Sequence, residues 1–188
     1  AGNLAHSLME RLANSDMSRE DFIKISEEYF DRHVVENPPL IIENVAEAKA
    51  DFMEMMENAY DSDPHREVVL KEKDIHCEHS SGVRIHGLPD RVEKLDDGTY
   101  AIVDFKSGRT VKHIKDDINT CLQVVIYAYL MEQQGLKISR GEFRYLRTGE
   151  TVTCVYDDNM KQALDNILII FKERIENFNF FGANDDVN

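Results

Sequence analysis

No apolar run in this 188-residue sequence approaches the roughly 20 residues that a membrane-spanning helix needs, and no secretory signal pattern opens it. The most apolar stretches, around residues 124–129 and 167–171, suit buried helix cores, so no membrane partner is expected. Cysteine is scarce: Cys77, Cys121 and Cys154 are odd in number, far apart and without CxxC spacing. That pattern argues for a reducing, cytoplasmic setting and against both a disulfide framework and a cysteine-rich metal cluster. Positive charge is short, with 22 Lys and Arg against 36 Asp and Glu and a net charge of −14. Phosphate contacts draw on lysine and arginine, so strong bulk attraction to nucleic acid is not expected. A glycine-rich phosphate loop is also missing, which argues against an enzyme acting on a small phosphorylated substrate. Repeats and low-complexity linkers are missing too. The length suits a single domain over residues 1–180, with a helical part at 1–66, a sheet core at 67–180 and a polar, disordered tail at 181–188. The sequence opens directly into a helical pattern, as a fragment of something larger would.

What is present is strongly patterned. Acid is concentrated in the N-terminal half and the tail, while residues 84–115 are balanced by Arg84, Arg91, Lys94, Lys106, Arg109, Lys112 and Lys115. A local basic rim around an acidic centre is compatible with that distribution. Leu4, Ala5, Leu8, Met9 and Leu12 recur at helical spacing over residues 2–13. Ser18 with Asp21 three residues on makes a capping pattern for a second helix to about residue 35, ended by Asn37-Pro38-Pro39. A third helix is expected over 43–60. From residue 67 the period becomes that of strands: 68–76, carrying Glu72, then 83–95, then 100–106. A helix over 116–134 stops at Gly135, a hairpin follows over 143–146 and 152–155, and a last amphipathic helix runs from 157 to about 178. This order gives an α/β (α+β) fold, a central mixed β-sheet flanked by helices.

The stretch Gly87 to Gly108 carries the chemistry. Asp96-Asp97-Gly98 supplies the positive φ of a two-residue hairpin turn between the strand bearing Asp90 and the strand bearing Asp104 and Lys106. Pairing about that turn brings Asp90 and Asp104 to the same end of the hairpin. Two carboxylates held together suit a hard divalent cation, which prefers oxygen ligands. Lys106, two residues past Asp104, shares its face of the strand and can meet an anion beside that cation.

Taken in order, Gly2 with His6, Gly87 with Asp90-Arg91, Asp104-Phe105-Lys106-Ser107-Gly108, and Gln123 with Tyr127 resemble the motifs of the PD-(D/E)xK nuclease superfamily. The branch most resembled is the nuclease domain of RecB- and AddB-type helicase–nucleases. The resemblance covers residues 2 to about 130 and implies a restriction-endonuclease-like core with extra N-terminal helices. It also implies a metal site of His6, Asp90, Asp104 and the carbonyl of Phe105, taking Mg2+ or Mn2+. Lys106 would position water or stabilise the pentacovalent oxyanion, and Gln123 and Tyr127 would face the active site and the DNA backbone. Glu72 resembles an upstream acid of that branch; with Arg91 it is an accessory candidate. AddB-type relatives often carry an iron–sulfur cluster held by one cysteine before the domain and three after it. With Cys154 alone in the C-terminal region, no such cluster is expected.

Singly, each residue has a plainer reading. Asp90 and Asp104 can be turn-flanking or salt-bridged acids, Lys106 a solvated strand-end lysine and His6 a structural histidine at a helix edge. Gln123 is expected to be buried among apolar neighbours and so to need a polar partner. His76, Cys77, His79 and His86 suggest zinc, but their spacing matches no finger, and strand alternation puts His76 and Cys77 on opposite faces. The sequence therefore points to a Mg2+- or Mn2+-dependent deoxyribonuclease domain, an exonuclease in a recombination and break-repair machine whose helicase domains or subunits are its partners, with DNA as substrate. The alternative is a nuclease-fold domain that binds DNA or protein without cutting.

Overall fold

A computed structural model of the chain describes residues 2–38, 44–71, 73–111 and 118–182. Three helices come first: α1 (Gly2–Arg11), α2 (Arg19–Glu36) and α3 (Val45–Ser62). The Asp21 amide donates to the Ser18 hydroxyl at 3.1 Å, so the capping pattern starts α2 where the sequence indicates. Five strands follow: β1 (Val68–Lys71), β2 (Ile75–Glu78), β3 (Arg84–Gly87), β4 (Arg91–Lys94) and β5 (Tyr100–Lys106). Then come α4 (Ile118–Gln133), β6 (Ile138–Tyr145), β7 (Thr151–Val155) and α5 (Asp158–Gly182).

The main sheet has the order β1-β4-β5-β6-β7, while β2 and β3 pair separately. β5 and β6 run parallel and are joined through α4; the other pairs are antiparallel. Two cores flank the sheet. Ile102, Phe143 and Val152 pack against α4 and α5, and Val103, Phe105 and Leu146 pack under α1, α2 and α3. The fold is α/β, with a mixed central sheet between helical layers.

Several boundaries differ from the sequence reading. The expected strand over 83–95 is two strands in different sheets, because Leu88-Pro89-Asp90 interrupts it. Pro89 has no N–H for a ladder and holds Leu88 out of the helical region, so the chain leaves one sheet and enters the other there. The expected strand over 68–76 is likewise β1 and β2, with Glu72 between them and outside the described residues. The β4–β5 turn is one residue longer than expected: the Leu95 amide donates to the Thr99 carbonyl at 2.8 Å, and Gly98 takes φ +82° in a three-residue loop. α5 takes in residues 181 and 182 of the expected tail, and residues 183–188 lie outside the described residues.

Two further differences come from the core. β6 begins at Ile138, well before the expected residue 143, since its charged residues are paired inside the protein. Arg144 donates to both Glu93 carboxylate oxygens at 2.9 and 2.6 Å and to Glu142 at 2.7 Å, while Arg66 donates to Glu142 at 2.9 Å. Cys121 and Cys154 form a disulfide with Cα atoms 6.0 Å apart. This corrects the expectation drawn from cysteine number and spacing: α4 and β7 bring both residues into one core. Cys77 is a free thiol.

Candidate active site

β5 sets the geometry. Asp104 and Lys106 follow Ile102 in strand parity and so share its face, where Lys106 Nζ stands 2.7 Å from Asp104 Oδ2 as an ion pair. Asp90 is not on a strand; it occupies the bend just before β4. The β4–β5 ladder ends at the pair Arg91–Val103, and beyond it Asp90 Oδ2 accepts the Phe105 amide at 2.7 Å. A side chain thus continues a ladder that Pro89 cannot. The Lys106 carbonyl accepts the Leu146 amide at 2.9 Å, so strand alternation directs the Phe105 carbonyl the other way, to the side of Asp90.

The first helix returns to this point. His6 Nδ1 lies 4.0 Å from Asp90 Oδ2, and its ring meets Phe105 edge-on at 6.1 Å. His6 Nε2 is buried with no hydrogen-bond partner. The approach depends on Gly2, where a Cβ would collide with the Ser107 hydroxyl. Arg91 holds α1 from the other side, donating to the Met9 carbonyl and, at 3.1 Å, to Asp63 Oδ2, with its guanidinium over the Phe105 ring at 5.0 Å. Arg91 is buried, so its place is in the scaffold of the site and not on its surface.

On the opposite flank, Lys106 Nζ donates to Gln123 Oε1 at 2.9 Å, and Gln123 Nε2 donates to the Tyr127 hydroxyl at 3.1 Å. Gln123 is exposed, a correction to the burial expected from its neighbours. α4 turns Cys121, Val124, Val125 and Ala128 inward and leaves Gln123 beside an open groove. That groove, of about 730 Å³, is lined by His86, Lys106, Gln123, Tyr127 and Phe143 among others. Tyr127 packs on Gly87, where any Cβ would meet its ring carbons at 2.6 Å. The two motif glycines therefore have packing reasons: one admits α1 and the other admits α4.

Burial pushes the carboxyls of Asp90 and Asp104 above the ordinary range. The Phe105 amide and the charge of His6 offset this in part at Asp90, and Lys106 does so at Asp104. Two desolvated carboxylates, an orphaned imidazole nitrogen and a backbone carbonyl form a donor set that suits a divalent ion. The donor atoms of His6, Asp90 and Asp104 are not gathered to within 4.8 Å of one another; Lys106 stands against Asp104 instead.

The four residues weighed for zinc do not converge. His79 is buried with its ring nitrogens 2.8 Å from Ser81 and 2.8 Å from Asp165, and Cys77 alternates away from the outward His76 and His86. Sequence reasoning missed that His86 lines the groove and that Asp74 stands beside both outward histidines. The signal that could have shown it was the pairing of 75–78 with 84–87 as a hairpin of its own.

The fold, a mixed central sheet between helical layers, is consistent with that of a nuclease. The sequence profile of the PD-(D/E)XK nuclease superfamily matches residues 1–185, and the chain belongs to that superfamily. Among curated proteins it is similar to the B-type subunit of the ATP-dependent helicase/deoxyribonuclease of Streptococcus pyogenes serotype M3, strain ATCC BAA-595 / MGAS315, at 29% identity over 79 residues. The corresponding protein of the serotype M6 strain ATCC BAA-946 / MGAS10394 is 28% identical over 79 residues. The matched stretch is 42% of this chain and 7% of the streptococcal protein. The solved structure of SSO0001 aligns with 88% of this chain and 84% of its own, at 19% identity and a TM-score of 0.39, a likeness too loose to argue from.

Proposed function

We propose that this chain is a Mg2+- or Mn2+-dependent deoxyribonuclease module, cutting DNA phosphodiester bonds as an exonuclease within a larger helicase–nuclease of recombination and break repair. The observation that carries the reading is the meeting of His6, Asp90, the Phe105 backbone, Asp104 and Lys106 at one end of β5. Asp90, Asp104, His6 Nε2 and the Phe105 carbonyl would hold the ion. When bound, a divalent ion supplies positive charge that neutralises the phosphodiester and makes nearby water more acidic.

The chain's own residues do the rest. Lys106 keeps an ammonium beside the place where negative charge develops on phosphorus oxygens, and such a fixed donor acts strongly where water is excluded. Gln123 accepts from Lys106 and so fixes its direction, and Tyr127 fixes Gln123 in turn. The groove between β5, β6 and α4 gives a strand of nucleic acid a path past Lys106. The helicase partners rest on the name of the streptococcal relatives and on the acidic charge of this chain.

The test is cleavage of linear DNA by the purified chain with Mg2+ or Mn2+. Asp104→Ala and Lys106→Ala are each expected to lower the rate by more than about 10²-fold. Retained cleavage in either variant would overturn the catalytic assignment, and a wild-type chain that binds DNA without cutting would favour a non-catalytic nuclease-fold binder.

A further inference from the structure

Outside the β5 site, one side-chain cluster has the makings of a ligand site of different chemistry. β2 and β3 pair in the register Ile75–Gly87, His76–His86, Cys77–Ile85, Glu78–Arg84. Beyond them the His79 amide donates to the Val83 carbonyl at 2.9 Å, so residues 79 and 83 form a hydrogen-bonded pair. Alternation then makes Cys77–Ile85 a hydrogen-bonded pair and His76–His86 a non-hydrogen-bonded pair, the type whose Cα atoms come nearest, at about 4.5 Å. Both histidines are exposed, and their rings stack with centroids 5.7 Å apart and planes 24° apart.

Asp74, just before β2, closes the group. Its Oδ2 lies 3.2 Å from His76 Nε2 and its Oδ1 lies 3.7 Å from His86 Nδ1. One ligand atom from each of the three residues falls within 4.8 Å of the others. Two donors at about 2.0–2.1 Å from a tetrahedral zinc centre are themselves about 3.3–3.4 Å apart. The two Asp–His separations, each to a different oxygen of Asp74, lie close to that tetrahedral edge.

We propose that Asp74, His76 and His86 form a transition-metal site, taking Zn2+ or a similar borderline ion, separate from the oxygen-rich site at Asp90 and Asp104. Two imidazoles and one carboxylate favour zinc, nickel or copper over magnesium, which prefers oxygen alone. Three protein ligands leave a fourth position open to water or to an oxygen of a bound molecule. His86 also lines the groove that holds Lys106 and Gln123. An ion there would place positive charge on the rim of that groove in a chain of net charge −14.

The experiment is calorimetric titration of the metal-free chain with Zn2+, and in parallel with Co2+ followed by visible absorption, both in excess Mg2+. The wild type and Asp104→Asn are expected to bind one ion per chain at this site. His76→Ala and His86→Ala are expected to weaken binding by at least about tenfold and to abolish the cobalt bands. Both histidines are exposed, so these variants should keep the wild-type circular dichroism spectrum, which separates lost ligation from lost fold. Unchanged affinity in both histidine variants, loss of the ion in Asp104→Asn alone, or its displacement by Mg2+ would each overturn the proposal. No cleavage assay enters the test, so it stands or fails independently of the deoxyribonuclease reading.

Discussion

At the scale of single residues, the site is held against its own electrostatics. Burial raises the Asp104 carboxyl above its ordinary 3.8 despite the ammonium of Lys106. A raised pKa means that the folded state binds more protons than the unfolded state, so this group's contribution to stability is full below 3.8 and lost as pH rises through the raised value. At neutral pH the ionised Asp104 is therefore a cost to the metal-free fold. Asp104→Asn should raise the unfolding midpoint of the metal-free chain at pH 7, with a gain that shrinks as the pH falls towards 3.8. Mn2+ should reverse the order by stabilising the wild type, by about 2.7 kcal/mol at a hundredfold excess over its dissociation constant, and not the variant. Thermal scans of both proteins with and without Mn2+ check this; a variant less stable than the metal-free wild type at pH 7 would refute it. Strand parity put Asp104 and Lys106 on one face and i, i+4 spacing paired Gln123 with Tyr127, whereas His6 was named through the family motifs and Asp90, expected on a strand, lies in the bend before β4. The exposure of Gln123 was not legible, since an apolar stretch of sequence does not say which flank of α4 an open groove leaves bare.

At the scale of elements, the sheet shows why parts of the fold could not be read from sequence. Charges inside a strand pattern normally mark a solvated face, yet Glu93, Glu142 and Arg144 are buried and satisfy one another on the side of the sheet under α3. Glu142 and Arg144 are two residues apart, but the Glu93–Arg144 pair joins β4 to β6 across 51 residues and Arg66 reaches Glu142 across 76, separations at which no local pattern operates. Arg144 holds the Glu142 carboxyl below its ordinary range, working against burial that pushes it up. That part of the stability is present above the ordinary carboxylate pKa and lost as pH falls through the depressed value. Arg144→Ala leaves Glu93, with 0% of its side chain exposed, without its two-pronged donor. The expected cost is about 3–5 kcal/mol, as for other broken buried ion pairs. Urea unfolding at pH 7 measures it, and a loss below about 1 kcal/mol would show the network to be dispensable. Pro89 and the Cys121–Cys154 bond fall on opposite sides of that limit. The break at Pro89 was open to reading from the missing N–H, whereas a bond between residues 33 apart depends on how α4 lies on the sheet.

At the scale of the whole molecule, charge sets how tightly the chain could hold DNA, the substrate proposed for it. The sequence count of 22 basic residues overstates what is free to touch phosphate. Arg66, Arg91 and Arg144 are committed to buried or half-buried carboxylates, Arg147 to Asp51, Arg19 to Asp61 and Glu57, and Lys49 to Glu27 and Asp31. Among the described residues, Lys106 in the groove is itself paired with Asp104, while Arg109 beside it and Arg84 on β3 are exposed. Each phosphate neutralised steepens the salt dependence of duplex binding by about 0.9 in the log–log slope, so two or three contacts give a slope no steeper than about −3. The isolated chain should accordingly bind a duplex oligonucleotide no more tightly than the roughly 10⁻⁴–10⁻⁶ M of non-specific association at physiological salt. Fluorescence anisotropy in Ca2+, with salt varied, checks both numbers. Nanomolar affinity or a slope near −10 would mean that the chain carries its own DNA-gripping surface and owes none of its grip to a larger assembly.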